Sequence, residues 1–281
     1  MNMSDGLYIE RNGFRTMLKW HRGHREAADI SFTPERIAQG MALGASVEVD
    51  ILCHADGGFV VLHDETLDKA TTGQGPVALA TTTQLQALNL RDAHGVPTHH
   101  KVMLLEELGH LLASQPCGDG AVLQLDLKEP ASTLGSREIA SFQQAVQSVA
   151  HHLILSGGDA KAVMMLAQAV DGLPVGYDPC HDGTIERLLA SRDFNGFVDH
   201  AVAVIDNTQM IYLEHRLILE ADSMGFDLVS AFHAHGKRVD AYTIQAATQS
   251  VLPAVQRLLE LRCDQITTDD PVGLEALIAL Q

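Results

Sequence analysis

Residues 45–65 read ASVEVDILCHADGGFVVLHDE, and the first part of this segment alternates in the way that a β-strand does. Side chains of an extended chain point to opposite faces in turn, so the valines and the isoleucine share one face while Glu48 and Asp50 share the other. Two neighbouring carboxylates repel each other and resist burial. Either the pair faces solvent on an edge strand, or the end of this strand carries a functional site.

Seven other apolar or alternating runs, separated by segments with helical periodicity, repeat the pattern of a strand followed by a helix. Such alternation predicts an α/β protein, a (β/α)8 TIM barrel. The predicted strands span residues 16–21, 45–52, 121–128, 152–156, 172–177, 209–213, 238–244 and 264–268.

No linker divides the chain, so we expect one domain over residues 1–281. A long insertion, at about residues 53–100, follows the second strand and precedes its helix. Active sites of such barrels are built from the loops after the strands, which makes this insertion a candidate for function. Before it, Thr33 and Pro34 predict a helix start, with Thr33 as the capping residue.

The composition is that of a folded protein, since 46% of the residues are hydrophobic and 20% are charged. Nineteen basic residues against 36 acidic ones give a net charge of −17, which disfavours nucleic acid as a partner. The four cysteines are widely spaced and show neither a zinc nor a disulfide pattern. We expect a cytoplasmic protein without membrane insertion, because no long apolar run and no apolar leader is present.

Two short motifs place histidines where they could act as acids or bases. His21-Arg22 ends the first predicted strand, and His63-Asp64 ends the apolar run after the glycine turn. Each motif is weak alone, because a single histidine at a strand end is more often structural. The histidines outside these motifs are interpreted as solvated, since no acidic residue stands at ligand spacing: His99, His100, His151, His152, His233 and His235.

The third predicted strand, AVLQLDLKE at residues 121–129, repeats the anomaly of the second. Its leucines share one face, while Asp126 and Lys128 share the other near the carboxyl end of the strand. Carboxylate oxygens grouped in this way suit Mg²⁺ or Ca²⁺. A plain ion pair between the two side chains is the alternative, but two strands with the same anomaly at the same end favour one shared site.

Taken in order, these residues resemble the glycerophosphodiester phosphodiesterase family. The order and spacing match over residues 20–271, most specifically over 20–75. The family has a glutamate where Asp126 stands and a tryptophan where Tyr242 stands. The matching motifs are His21-Arg22-Gly23, Pro34-Glu35, Glu48-x-Asp50, Asp56-Gly57, His63-Asp64, KATTGQG, LQLDLK, VDAYTIQ and ITTDDP.

The resemblance implies a TIM barrel whose site lies at the carboxyl ends of the strands, with one divalent cation, Mg²⁺ or Ca²⁺. It implies roles for ten side chains. The implied metal ligands are Glu48, Asp50 and Asp126, the acid and base are His21 and His63, the substrate contacts are Arg22, Lys128 and Tyr242, and the supporting residues are Glu35 and Asp64.

The expected reaction is hydrolysis of a small glycerophosphodiester to an alcohol and glycerol phosphate. Alternatives within enzymes are a lysophospholipase D, a sphingomyelinase D-like enzyme or a phosphodiesterase for sugar phosphodiesters. An alternative of another class is a non-catalytic barrel that binds a phosphorylated metabolite. The residues leave open the alcohol released, Mg²⁺ against Ca²⁺, a cyclic phosphate against direct attack by water, the oligomeric state, and whether Asp126 is a direct ligand.

Overall fold

The computed structural model describes residues 5–280. Twelve strands lie in this part of the chain: β1 Tyr8–Arg11, β2 Phe14–Trp20, β3 Ser46–Cys53, β4 Phe59–Val61, β5 Asn89–Arg91, β6 Pro97–Lys101, β7 Val122–Leu127, β8 Leu153–Gly157, β9 Val175–Tyr177, β10 Thr208–Glu214, β11 Arg238–Ile244 and β12 Gln265–Thr268. The α-helices of the same part are α1 Pro34–Leu43, α2 Thr82–Ala87, α3 Leu105–Ser114, α4 Ser136–Val146, α5 Ala160–Ala167, α6 Thr184–Ser191, α7 Phe194–Val204, α8 His215–Ser223, α9 Leu228–Ala234, α10 Leu252–Glu260 and α11 Pro271–Ala279.

Eight parallel strands close into a barrel, which confirms the predicted fold class. Their order around the ring is β2, β12, β11, β10, β9, β8, β7 and β3, and β2 pairs with β3 to close it. Every barrel strand overlaps one of the eight predicted runs. Helices connect the strands on the outside, as the right-handed crossovers of parallel strands require. The bounds of the predicted single domain stay a prediction.

Strand β3 is buried on both of its faces, which explains its mixed alternation. Val47, Val49 and Ile51 lie in the hydrophobic core, while Glu48 and Asp50 take the alternate face and line the cavity inside the barrel. Neither acid faces solvent, because Glu48 is 4% and Asp50 1% exposed. The edge-strand interpretation is therefore wrong.

Helix α1 begins where the sequence predicts. Pro34 occupies its first turn, where a missing N–H group leaves no hydrogen bond unmade. Thr33 stands at the cap position, but its side chain makes no capping hydrogen bond, so that detail of the prediction is wrong. The helix packs so closely on the barrel that a Cβ at Gly40 would lie 2.7 Å from Val47 and 3.0 Å from Trp20.

The insertion after β3 folds back onto the barrel. Strand β4 pairs antiparallel with β3, which places the following His63 and Asp64 beside the carboxyl ends of the barrel strands. The turn between the two strands contains Gly57 at φ +76°, a conformation that glycine adopts without strain. Helix α2 and the β5–β6 hairpin complete the insertion. Among residues 5–280, no helix is long and apolar enough to cross a bilayer.

Candidate active site

Three carboxylates converge at the carboxyl ends of β3 and β7. Asp50 and Asp126 are paired in the register of these neighbouring strands, and Glu48 lies two residues before Asp50 on the same face. One oxygen from each of the three carboxylates lies within 4.8 Å of the others. The strand register thus brings together the acids of two distant sequence motifs.

Two cations compensate these charges. Lys128 Nζ lies 2.9 Å from Asp50 Oδ1 and 2.5 Å from Asp126 Oδ2. Arg22 Nε lies 3.3 Å from Asp50 Oδ2, and the Arg22 backbone N–H donates to Glu48 Oε2 at 2.8 Å. Both cationic groups can therefore approach an anion that enters the cavity, since their side chains are 29% and 26% exposed.

The acids differ in their electrostatic environment. Burial raises the pKa of Asp50 to about 6, and the neighbouring charge of Glu48 adds to the shift. Burial would also raise the pKa of Asp126, but the charge and hydrogen bond of Lys128 outweigh it and lower that pKa. The pKa of Lys128 is raised, because the two aspartates more than offset the effect of burial.

The carboxylate group fits a divalent cation on two counts. All the donors are hard oxygen atoms, which Mg²⁺ and Ca²⁺ prefer. In addition, Asp50 Oδ2 is buried and accepts no hydrogen bond within the described residues, because its contact with Arg22 Nε at 3.3 Å is an ion pair without hydrogen-bond geometry. The residues that would hold the ion are Glu48, Asp50 and Asp126.

His21 is oriented by a carboxylate that the sequence analysis did not single out. Its Nδ1 lies 2.5 Å from Asp269 Oδ1, just beyond β12, and its Nε2 lies 3.9 Å from Glu48 Oε2. Burial by itself would lower the pKa of His21, but the hydrogen bond to Asp269 and the charge of Glu48 raise it overall. The ring is thus fixed with Nε2 on the side of Glu48 and the other two carboxylates.

His63 has a matching arrangement on the other side of the cavity. Its Nδ1 lies 2.9 Å from Asp64 Oδ1, which leaves Nε2 available. Burial would raise the pKa of Asp64, but the hydrogen bond with His63 lowers it, so the carboxylate is ionised beside the ring. Each of the two predicted histidines therefore has a carboxylate on Nδ1.

The opposite wall of the cavity contains aromatic and polar side chains. The Tyr242 hydroxyl, on β11, is hydrogen-bonded to Asp178, and Asp178 Oδ2 lies 3.1 Å from His181 Nε2. The contact of Asp178 with His181 raises the pKa of His181, and burial raises the pKa of the Tyr242 phenol. Tyr242 is therefore a neutral hydroxyl at ordinary pH.

Nine of the ten predicted site residues lie around two adjoining cavities. The inner cavity has a volume of about 270 Å³ and is lined by both histidines, both cations, the three acids and Tyr242. A groove of about 790 Å³ adjoins it and shares His63, Asp126, Lys128 and His181, with Asp64 on its wall. The arrangement can bind an anion beside two groups that transfer protons.

The sequence model of the Glycerophosphoryl diester phosphodiesterase family matches residues 21–272. The chain belongs to this family. It is therefore a phosphoric diester hydrolase, and the resemblance noted from the motifs is confirmed. A search of the curated proteins found no match.

Solved structures of similar fold carry related names. A glycerophosphoryl diester phosphodiesterase from Parabacteroides distasonis is 18% identical with a TM-score of 0.67, over 97% of this chain and 89% of that one. A phosphodiesterase from Oleispira antarctica, solved with the product sn-glycerol-3-phosphate, is 20% identical with a TM-score of 0.66, over 93% and 96%. A glycerophosphodiester phosphodiesterase from Thermotoga maritima is 20% identical with a TM-score of 0.60, over 95% and 98%. At these identities the likeness shows a shared fold.

One residue implied by the family motif lies apart from the others. Glu35, at the start of α1, is exposed and lies 3.4 Å from His100 Nδ1 in a separate surface groove. The structure therefore gives Glu35 no contact with the phosphodiesterase site. His233 also differs from expectation, because its Nε2 lies 2.7 Å from Asp264 Oδ2 and the ring is not simply solvated.

Sequence reasoning missed several side chains of the phosphodiesterase site. Asp178 and His181 follow β9 in the segment YDPCHDG, and polar residues directly after a barrel strand were a usable signal. Asp269 lay within the family motif ITTDDP but was given no role. Lys19 lies two residues before His21, so alternation alone would have placed both side chains inside the barrel.

Proposed function

We propose that this phosphodiesterase hydrolyses small glycerophosphodiesters to an alcohol and glycerol phosphate, with one divalent cation, Mg²⁺ or Ca²⁺, and with His21 and His63 as acid and base. The observation that carries the proposal is the convergence of three carboxylates, two cationic side chains and two carboxylate-paired histidines on one cavity. The relative from Oleispira antarctica, solved with sn-glycerol-3-phosphate, supports a glycerol phosphate product.

Binding of the phosphodiester relies on Arg22 and Lys128. The Arg22 guanidinium offers directed donors and Lys128 a compact charge, so together they can hold two non-bridging oxygens. When bound, the cation supplies positive charge that offsets the charge of the phosphodiester and the charge developing in the transition state. The leaving alcohol would occupy the adjoining groove next to His63.

Proton transfer is assigned to the two histidines. One ring takes the proton of the attacking hydroxyl, which belongs to water or to the substrate itself, and the other protonates the leaving alkoxide. Asp269 and Asp64 support these roles, because each holds Nδ1 of its histidine and leaves Nε2 for the reacting groups. Two carboxylate-paired histidines are more than binding needs, which favours catalysis over the non-catalytic alternative.

The proposal is tested with a substrate panel of glycerophosphocholine, glycerophosphoethanolamine, lysophospholipids and sugar phosphodiesters, each assayed with Mg²⁺ and with Ca²⁺. We expect the glycerophosphodiesters to give the highest kcat/KM. Exhaustive treatment with EDTA should abolish this activity, and one of the two ions should restore it. Phosphorus NMR of the reaction would reveal a cyclic phosphate if the substrate's own hydroxyl attacks.

Three outcomes would contradict parts of the proposal. Full activity after exhaustive chelation would show that the reaction needs no divalent cation. If kcat/KM is higher on lysophospholipids, and the rate increases above their critical micelle concentration, the substrates are lipids and not small glycerophosphodiesters. Tight binding of glycerol phosphate without hydrolysis of any compound in the panel would favour the binding protein.

A further inference from the structure

A buried lysine lines the inner cavity, two residues before His21 along the chain. Lys19, on β2, is 2% exposed, and its Nζ lies 3.1 Å from Asp240 Oδ2 on β11. Lys19 Nζ also donates to Gln124 Oε1 on β7 and lies 4.4 Å from the centre of the Tyr212 ring. The ammonium group of Lys19 therefore contacts a carboxylate, an amide oxygen and an aromatic ring.

These side chains form one polar layer of the barrel interior. Lys19, Gln124 and Asp240 come from the first, third and seventh barrel strands, and side chains of alternate strands meet in one layer of such barrels. The fifth strand contributes Gly176, where a side chain would collide with the Tyr212 ring. Branched apolar residues usually fill this position.

A buried ion pair such as that of Lys19 and Asp240 is weak evidence of a contribution to fold stability. Moving a lysine and an aspartate out of water costs several kcal/mol per ion, by general estimates, and their attraction often only offsets that penalty. Apolar replacements of similar volume are frequently neutral or stabilising. A role in the catalytic site is therefore the more economical explanation.

Hydrogen bonds connect this layer to the third carboxylate. Gln124 accepts a hydrogen bond from Lys19 Nζ on Oε1 and donates through Nε2 to Ser156 Oγ at 2.8 Å. Ser156 Oγ donates in turn to Asp126 Oδ1 at 3.3 Å. The hydrogen-bonded chain Lys19, Gln124, Ser156 and Asp126 runs from the buried ammonium to the carboxylate group.

We propose that Lys19 is a positioning residue that fixes the carboxylate of Asp126 for cation binding through Gln124 and Ser156. The inference rests on the proposed function, since it assumes that Asp126 holds the cation. Lys128 contacts Asp126 Oδ2, and the Ser156 hydroxyl contacts Oδ1, so the two contacts together set the plane of the carboxylate. The charge on Lys19 orients Gln124, and Gln124 orients the Ser156 hydroxyl.

This orientation of Asp126 would compensate for the short reach of its side chain. An aspartate reaches one methylene less far than the glutamate that the family has at this position, so its orientation matters more. Partners that orient metal ligands typically contribute about 10- to 100-fold in metal affinity. The effect expected from breaking the chain is therefore large enough to measure.

The first test cuts the chain with Ser156→Ala. Calcium chloride is titrated into the full-length, EDTA-treated protein by calorimetry, and we expect the Kd for Ca²⁺ to rise about 10- to 100-fold. KM for glycerophosphocholine at saturating Ca²⁺ should change less than twofold, because Arg22 and Lys128 are intact. Ser223→Ala on α8, whose hydroxyl donates to Glu220 O of its own helix, is the matched control and should bind Ca²⁺ like the wild type.

The second test replaces the buried pair by Lys19→Met with Asp240→Leu. The double variant avoids leaving one buried charge alone, so we expect its thermal midpoint to match or exceed that of the wild type. Its Kd for Ca²⁺ should rise to the same extent as that of Ser156→Ala. A structural role alone would lower the midpoint and leave the Kd of the folded protein unchanged.

The outcomes separate the two hypotheses. Wild-type protein that binds Ca²⁺, together with variants whose Kd stays within twofold, overturns the positioning role and leaves the proposed function in place. Wild-type protein that binds neither Ca²⁺ nor Mg²⁺ overturns both. A rise in Kd in both variants but not in Ser223→Ala supports the role of Lys19.

Discussion

The catalytic cavity has two unlike walls. The charged wall, formed by His21, Arg22, Glu48, Asp50, Asp126 and Lys128, comes from β2, β3, β7 and the residues that follow them. The aromatic wall, formed by Tyr212, Tyr242, Thr243, Gln245 and Thr267, comes from β10, β11 and β12. Formal charges crowd the first wall, while the five side chains of the second offer neutral donors and ring faces. The ionisable pair Asp178 and His181 lies beside Tyr242 on that side.

From this difference we expect the charged wall to act in bond breaking and the aromatic wall to act in substrate selection. Groups that transfer protons or hold charge act on the transition state, so their loss should lower kcat. Neutral side chains that contact the substrate throughout the reaction act on binding, so their loss should raise KM. Substitutions on the two walls therefore test this assignment.

The largest effect is expected on the charged wall from His21→Ala and His63→Ala. Each variant removes one proton-transfer group, which typically contributes about 10²- to 10⁴-fold. We expect kcat with glycerophosphocholine to fall by that factor while KM changes little. Circular dichroism melting checks that each variant is folded, and near-wild-type turnover in both would remove the acid and base assignment.

A smaller effect is expected from Asp269→Asn, which acts through His21. The asparagine keeps the shape of the side chain but loses the charge, and its amide can hold the ring in the wrong tautomer, so kcat should fall roughly 10²-fold. The pH–rate profile gives the specific readout. Asp269 raises the pKa of His21 above the value that burial alone would give, so its removal lowers that pKa.

The sign of this shift does not depend on which role His21 plays. If His21 acts protonated, activity is lost at a lower pH in the variant, and if it acts neutral, activity is gained at a lower pH. In both cases the limb of the profile that reports His21 moves toward acid. Asp264→Asn, which removes the charge of a carboxylate beside His233, is the matched control. If the limb of the Asp269→Asn profile stays at the wild-type pH, Asp269 does not act through His21.

The charged wall could be predicted from the sequence because its residues come in short motifs at strand ends. Alternation along β3 and β7 placed Glu48, Asp50 and Asp126 on lumen faces, and strand pairing then brought them together. The eight strand runs predicted the barrel because they too are local patterns of the sequence. The polar residues of β3 and β7 indicated the site, since a strand buried on both faces is ordinarily apolar throughout.

Tyr242 was predicted only through the family resemblance, and the rest of the aromatic wall was not predicted, because its contacts join segments that are far apart in the chain. The bond from Tyr242 to Asp178 and the pairing of Lys19 with Asp240 depend on closure of the whole barrel. No local pattern encodes such partners. Glu35 shows the reverse failure, because a family motif suggested a site residue that α1 turns toward His100 instead.

The smallest effect is expected on the aromatic wall, from Tyr242→Phe. The substitution keeps the ring and removes the hydroxyl that bonds Asp178. Burial holds the pKa of this phenol well above its usual range, so the lost group is a neutral donor and no charge changes. One hydrogen bond of this kind contributes about 0.5 to 1.5 kcal/mol, which corresponds to roughly a 2- to 10-fold change.

We expect this change in KM for glycerophosphocholine, with kcat within about twofold of the wild type. Tyr177→Phe, on strand β9 and outside the inner cavity, is the matched control for loss of a buried hydroxyl. A loss of kcat in Tyr242→Phe as large as that of His21→Ala would place proton transfer on the aromatic wall. The catalytic part of the cavity would then include the network of Asp178, His181 and Tyr242, because these groups could carry a proton to the reacting oxygens.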